Sequence, residues 1–322
     1  MNFLPILNSA KTIWLSTHKS ADGDGLGSEI ALYHALKKNN YRVKIIHNDL
    51  VPTRYQFLLG GIETADATKI EHNLIGPDDL AIIFDTHDPK LCAPLFDILQ
   101  QSKAKIIFVD HHVVFEKKLD NTIYKINETA SCTGEIVLEI IKSLKIDLDL
   151  NIATALYTSL IFDTQNFKFQ RDSVKVFDMA KELIGAGANH ARIYKELFDS
   201  WSINKMNYLS KLISTVEYRN NAFAIICITK TDLKEFGLKT DDVSDLVDLF
   251  MSVKNLEGSI VVREDAHNYF KLSFRSRTQE ILSWARDFGG GGHLFSAGAW
   301  VHDSSENILN QIHSQIDKRK SL

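Results

Sequence analysis

Four short apolar runs punctuate the first third of the chain: 12–17 (TIWLST), 42–47 (RVKIIH), 80–85 (LAIIFD) and 105–110 (KIIFVD). Each is continuous rather than alternating, the pattern of a strand covered on both faces. Between them the apolar positions take helical spacing, as in 28–38 and 134–144. Strand and helix in alternation predict a parallel α/β sheet over roughly the first 185 residues. Gly185, Gly187 and Asn189 close a helix that begins near Asp172, and a long helical stretch follows over 191–215. The remainder reads as a strand (222–228), a helix (244–253), two strands (258–263 and 269–275), a helix (278–288) and the run GGGGH, which makes a smaller α/β unit. The expected division is a first domain over 1–190, a helical linker over 191–215 and a second domain over 216–322.

Composition supports two domains, since 322 residues exceed what most single cores reach. With 44% hydrophobic and 24% charged residues the chain is ordinarily globular, and no apolar run is long enough to span a membrane. The segment from Met1 to Leu15 lacks the pattern of an export signal. Three scattered cysteines, Cys92, Cys132 and Cys227, fit a reducing compartment, so a cytoplasmic protein is expected. A net charge of −4 argues against a broad basic face for long duplex nucleic acid. It leaves room for a short phosphate-bearing ligand whose charge is met by bound cations.

The candidate chemistry lies where the predicted strands end. The first runs into His18, Asp22 and Asp24 within a glycine-containing loop; the third ends at Asp85 and the fourth at Asp110-His111-His112; a later helical segment presents Asp163. In open α/β sheets ligands bind beyond the carboxyl ends of the strands, so four segments bring His and Asp to one edge. Carboxylates and imidazoles without thiolates suit two divalent cations, Mn²⁺ ahead of Mg²⁺. Asp22 and Asp24 can serve different ions, and Asp85, on a central strand, is the candidate bridge between them. Taken singly, Asp22 and Ser28 also read as helix caps, and Asp110 has the same alternative.

His18-x-x-x-Asp22-x-Asp24, Asp85, Asp110-His111-His112 and Asp163-Thr164 together resemble the four motifs of the DHH phosphoesterase superfamily. The stretch Ala130-Ser131-Cys132-Thr133-Gly134-Glu135 is similar to a further family segment. Gly289 to His293 with Ala297-Gly298, preceded by Phe274-Arg275-Ser276-Arg277, resembles the associated C-terminal domain. The resemblance implies that His18, Asp22 and Asp85 hold one metal, and that Asp24, Asp85, His111 and Asp163 hold the other. It implies further that His112 is a general acid and that Asp110 orients the histidine pair. Gln165, where the family commonly has Gly, and Leu294, where it tends to have Lys, depart from the pattern and bear on substrate preference.

For the second domain, Gly290, Gly291, Gly292 and His293 are expected to form a loop whose backbone N–H groups approach phosphate. Arg275 and Arg277, alternating along one strand, are expected to face it. The branch most resembled is that of the oligoribonucleases acting on very short RNA and the phosphoadenosine-phosphate phosphatases. The expected substrate is therefore RNA of two to five nucleotides or a related nucleotide, and a homodimer is the assembly considered. Two alternatives stand beside it, a cyclic- or linear-dinucleotide phosphodiesterase and a catalytically silent nucleotide-binding protein. A pyrophosphatase, which shares the metal motifs and usually lacks GGGGH, ranks behind them.

Overall fold

The computed structural model describes residues 3–71, 74–113, 119, 122–199 and 201–318. The chain divides into two units, Met1–Ser200 and Trp201–Leu322. The helical stretch expected over 191–215 is two helices, His190–Phe198 and Ile203–Ile213, one in each unit. The break is built into the sequence, because Ser202 caps the second helix by accepting a hydrogen bond from the Lys205 N–H.

In the first unit six strands form a wholly parallel sheet: β1 (Ile13–Thr17), β2 (Val43–His47), β3 (Thr64–Asp66), β4 (Leu80–Phe84), β5 (Lys105–Asp110) and β6 (Thr122–Ile126). Their order is β3-β2-β1-β4-β5-β6. Every residue of β1 and β4 is buried, as their continuous apolar pattern requires. Successive side chains feed opposite faces. Ile13, Leu15, Ile82 and Phe84 join the core under the helices Gly23–Lys38 and Leu150–Asp163, while Trp14, Ala81 and Ile83 pack against Leu95–Ser102. The chain leaves β1 in one direction to build β2 and β3, then crosses to β4 on the other side. A crevice therefore opens between the carboxyl ends of β1 and β4, the switch point where doubly wound sheets bind ligands.

Glycines let the first helix into that crevice. A Cβ on Gly25 would lie 2.1 Å from the Thr17 hydroxyl, and one on Gly27 would lie 2.5 Å from the Ala155 carbonyl. The Gly23–Lys38 helix can therefore press against β1 and against Leu150–Asp163 only because these positions carry no side chain.

The second unit is a mixed sheet of β7 (Glu217–Arg219), β8 (Phe223–Ile228), β9 (Gly258–Ala266), β10 (Tyr269–Ser276), β11 (Gly291–His293) and β12 (Ser296–His302). The order is β11-β12-β10-β9-β8-β7, parallel only between β8 and β9. One face packs Ile308, Ile312 and Ile316 of the helix Ser305–Asp317, spaced one turn apart; the other packs Tyr208, Leu209 and Leu212 of Ile203–Ile213. Together the two sheets and their helices make the chain α/β, as the hydrophobic pattern predicts.

Candidate metal centre

Asp22 is the N-cap of Gly23–Lys38. Its Oδ1 accepts from the Asp24 and Gly25 N–H groups at 3.0 and 3.2 Å. Its Oδ2 faces the other way, 3.7 Å from His18 Nε2. The capping and ligand readings are thus carried by different oxygens of one carboxylate. His18 Nδ1 lies 2.7 Å from the Lys19 carbonyl, which can only accept, so Nδ1 carries the proton and Nε2 turns toward Asp22 and Asp85.

Asp85 follows β4 with φ +61°, a left-handed conformation that costs a residue with a side chain. The bend turns its carboxylate between the two histidines. Oδ2 is 3.4 Å from His18 Nε2, and Oδ1 is 3.7 Å from His111 Nε2. Thr133 Oγ1 donates to the same Oδ1 at 3.1 Å.

Asp24 is fixed more tightly still. Thr133 N donates to its Oδ2 at 2.8 Å, and Ser159 Oγ donates to its Oδ1 at 2.5 Å. Gly134 N reaches Oδ1 at 3.3 Å, so the start of the helix Thr133–Ser143 points at this carboxylate. His111 Nδ1 donates to the Ala130 carbonyl at 3.2 Å. Its Nε2 stands 3.5 Å from both Asp24 Oδ2 and Asp163 Oδ2, the latter at the end of Leu150–Asp163.

The six predicted ligands therefore form two groups, His18 with Asp22 and Asp85, and Asp24 with His111 and Asp163. Within each group one donor atom per residue lies within 4.8 Å of the others. Asp85 touches both groups. Two imidazoles with fixed Nδ1–H tautomers and four carboxylates form a donor set that fits hard or borderline divalent cations.

The electrostatics agree with that fit. Burial, then the charges of Asp24 and Asp22, push the Asp85 carboxyl well above the usual range. Burial similarly raises Asp163 to about 6, with Asp24 and Asp22 adding to it. Burial opposes charge on His18, but Asp22 and Asp85 outweigh it and raise its pKa well above the ordinary imidazole value. The carboxylates thus favour a proton on the Nε2 atom that a cation would take, and a cation bound there would displace it.

Asp110 is fully buried and points both oxygens at histidines. Its Oδ1 accepts from His112 Nδ1 at 2.7 Å and from the His111 and His112 N–H groups. Its Oδ2 meets His87 Nδ1 at 2.5 Å. Burial works against the His112 charge, yet Asp110, then Asp85 and Asp163, lift its pKa to about 10.

His87 is a residue the sequence reading passed over. It sits two places beyond Asp85, and nothing in spacing alone shows that it closes on Asp110. His87→Ala leaves one buried carboxylate oxygen without its donor. The expected result is a stability loss of about 1–3 kcal/mol and a turnover loss of roughly tenfold to a hundredfold with metal content unchanged. His87→Asn, which keeps a donor there, should recover most of both. Equal turnover in wild type and His87→Ala would remove His87 from the site.

Ser159 and the role of Thr133, quoted only as part of the 130–135 stretch, were missed for a similar reason, since their contacts with Asp24 and Asp85 join residues far apart in sequence. Gln165 has φ +46°, and Asn166 and Phe167 are also left-handed. This turn, directly after the helix that presents Asp163, explains physically why glycine suits position 165.

In the second unit GGGGH is not an open loop. Gly291–His293 is β11, an edge strand paired with β12, and Leu294 and Phe295 form the hairpin turn. A Cβ on Gly290 would meet the Gly298 carbonyl at 2.0 Å, so close strand packing is one reason for glycine there. β10 ends at Ser276, so Arg277 lies beyond it. Arg275 Nε donates to Asp248 Oδ1 at 2.8 Å, and Arg277 donates to the Leu256 and Met251 carbonyls. Both guanidinium groups thus have partners within their own unit.

Residues 12–160 match the DHH family, N-terminal domain. The chain is 27% identical to the bifunctional oligoribonuclease and PAP phosphatase NrnA of Thermus thermophilus, over 95% of this chain and 90% of that one. It is 25% identical to a membrane protein–large ribosomal subunit bL9 fusion protein of Onion yellows phytoplasma. That match covers 94% of this chain and only 36% of the fusion, so the chain spans about a third of that relative. The crystal structure of an exopolyphosphatase-related protein from Bacteroides fragilis superposes with a TM-score of 0.88 at 24% identity. It covers 98% of this chain and 94% of that one, and shows the same fold.

Proposed function

We propose, from the match of residues 12–160 to the DHH family, that the centre of this chain is a phosphoesterase centre that hydrolyses very short oligoribonucleotides to mononucleotides. Phosphoadenosine phosphate is the second substrate proposed, since the Thermus relative is named for both activities. The observation that carries the reading is the pair of His/Asp groups joined at Asp85, with His112 held beside them by Asp110. We assign His18, Asp22 and Asp85 to one cation, Asp24, Asp85, His111 and Asp163 to the other, and Mn²⁺ as the favoured ion.

Bound there, a cation pair supplies an acidified water and positive charge for the phosphoryl oxygens. The protein's own contribution is placement and proton delivery. Thr133, Gly134 and Ser159 hold Asp24, and the backbone bend at Asp85 holds the shared carboxylate. Asp110 takes the Nδ1–H of His112, so the proton given to the departing ribose oxygen is the one on Nε2. Substrate binding in the second unit is assigned to His293 and Gly290 to Gly292, with Arg275 and Arg277 shaping that surface from their intradomain contacts.

The test is a panel of labelled RNAs from dinucleotides to about twenty nucleotides, with phosphoadenosine phosphate and cyclic dinucleotides, assayed with Mn²⁺. Fast cleavage of the shortest RNAs, slow cleavage of long ones and full loss on chelation are expected. A preference for cyclic dinucleotides would replace the substrate assignment, and turnover unaffected by chelation would end the metal assignment.

A further inference from the structure

Arg54 lies in the turn Thr53–Tyr55 that follows β2, outside every motif discussed above. Its guanidinium carbon stands 4.8 Å over the ring of Tyr55 and 5.9 Å over the ring of Phe162. Those rings meet edge to face at 6.0 Å and belong to the metal centre's surroundings. Phe162 directly precedes Asp163 and fills the space a side chain on Gly23 would occupy, 2.6 Å from that Cβ. Tyr55 is fully buried, within electrostatic reach of Asp22 and close to the Gly23 N–H. Arg54 is thus seated on two aromatic rings that border Asp22 and Asp163.

A cation over aromatic rings spends none of its N–H donors on that contact. The arginines Arg219, Arg263 and Arg275 meet carboxylates, and Arg277 meets carbonyls. Arg54 Nε, by contrast, is buried and makes no hydrogen bond among the described residues. A half-buried positive charge that lies over two rings, interacts with the Tyr55 side chain and makes no ion pair among the described residues is arranged for an anion that arrives with the substrate.

We propose that Arg54 is a substrate-binding residue of the first unit that holds anionic oxygens of the phosphoryl group at the metal centre. The neighbours of Arg54, Tyr55 near Asp22 and Phe162 beside Asp163, tie it to both candidate cation groups. The proposal rests on the phosphoesterase reading and adds a contact that none of the motif residues supplies.

The experiment uses the full chain loaded with Mn²⁺ and measures adenosine 5′-monophosphate binding by calorimetry alongside dinucleotide turnover. Arg54→Met keeps an apolar stem on the rings and removes the charge. Mononucleotide affinity and kcat/KM are expected to fall roughly tenfold to a hundredfold, with Mn²⁺ content and melting temperature unchanged. Arg54→Lys should retain part of the binding, and added guanidinium ion should restore part of it to Arg54→Ala. Wild-type mononucleotide affinity in Arg54→Met, or a parallel loss of Mn²⁺, would overturn the proposal and make Arg54 a support of the loop. A wild-type holoprotein that binds no mononucleotide and cleaves no ester would overturn the phosphoesterase reading as well. Failure confined to the variants isolates Arg54.

Discussion

Asp85→Asn is expected to abolish hydrolysis of every substrate, by at least about a thousandfold, because removing the shared carboxylate withdraws several kcal/mol of metal-derived stabilisation at once. Asparagine is the better first substitution. Position 85 sits at φ +61°, which asparagine tolerates, whereas alanine adds about 1–2 kcal/mol of backbone strain unrelated to the metals. Bound Mn²⁺, measured on the purified variant, should fall at both sites together, since Asp85 faces His18 with one oxygen and His111 with the other. Without metal the variant should melt no lower than the wild type, because burial and the charges of Asp24 and Asp22 already favour the neutral carboxyl. A folded Asp85→Asn protein with near-normal turnover would end the two-cation assignment.

His112→Asn should behave differently, keeping both cations and losing turnover by about 10²–10⁴, the range of a removed general acid. The fold should survive, because Asp110 Oδ1 keeps the backbone N–H donors of residues 111 and 112 when the ring is gone. The loss should shrink on nitrophenyl esters, whose leaving group needs little protonation. Two measurements, metal content and the ratio of losses on a dinucleotide and a nitrophenyl ester, decide the role. If metal content collapses with activity, His112 is a ligand and the division of the His-His pair is wrong.

Continuous apolar runs made the parallel sheet legible in the sequence, because strands buried on both faces leave no polar alternation to blur them. The edge strands β3, β6 and β7 were missed for the converse reason: each is short or only half-buried and mixes polar with apolar residues. The candidate ligands at the strand ends could be read because those ends are fixed points of the fold and collect polar residues with few other duties there. The roles of their supports could not be read. Thr133, Ser159 and His87 act through contacts to Asp24, Asp85 and Asp110 that depend on how helices and loops settle against the sheet. GGGGH shows the remaining difficulty, since glycine serves backbone packing as readily as ligand approach, and composition does not separate the two.

The glycines that admit the first helix to the crevice also restrict how this protein can be re-engineered. Gly23, Gly25 and Gly27 flank Asp22 and Asp24, and a methyl group on any of them would collide with Phe162, Thr17 or the Ala155 backbone. Saturation libraries through 22–28 should return almost no active clones, whatever activity is selected. New substrate range is better sought by randomising the turn around Arg54 and the β11–β12 hairpin, where Leu294 and Phe295 already present exposed side chains.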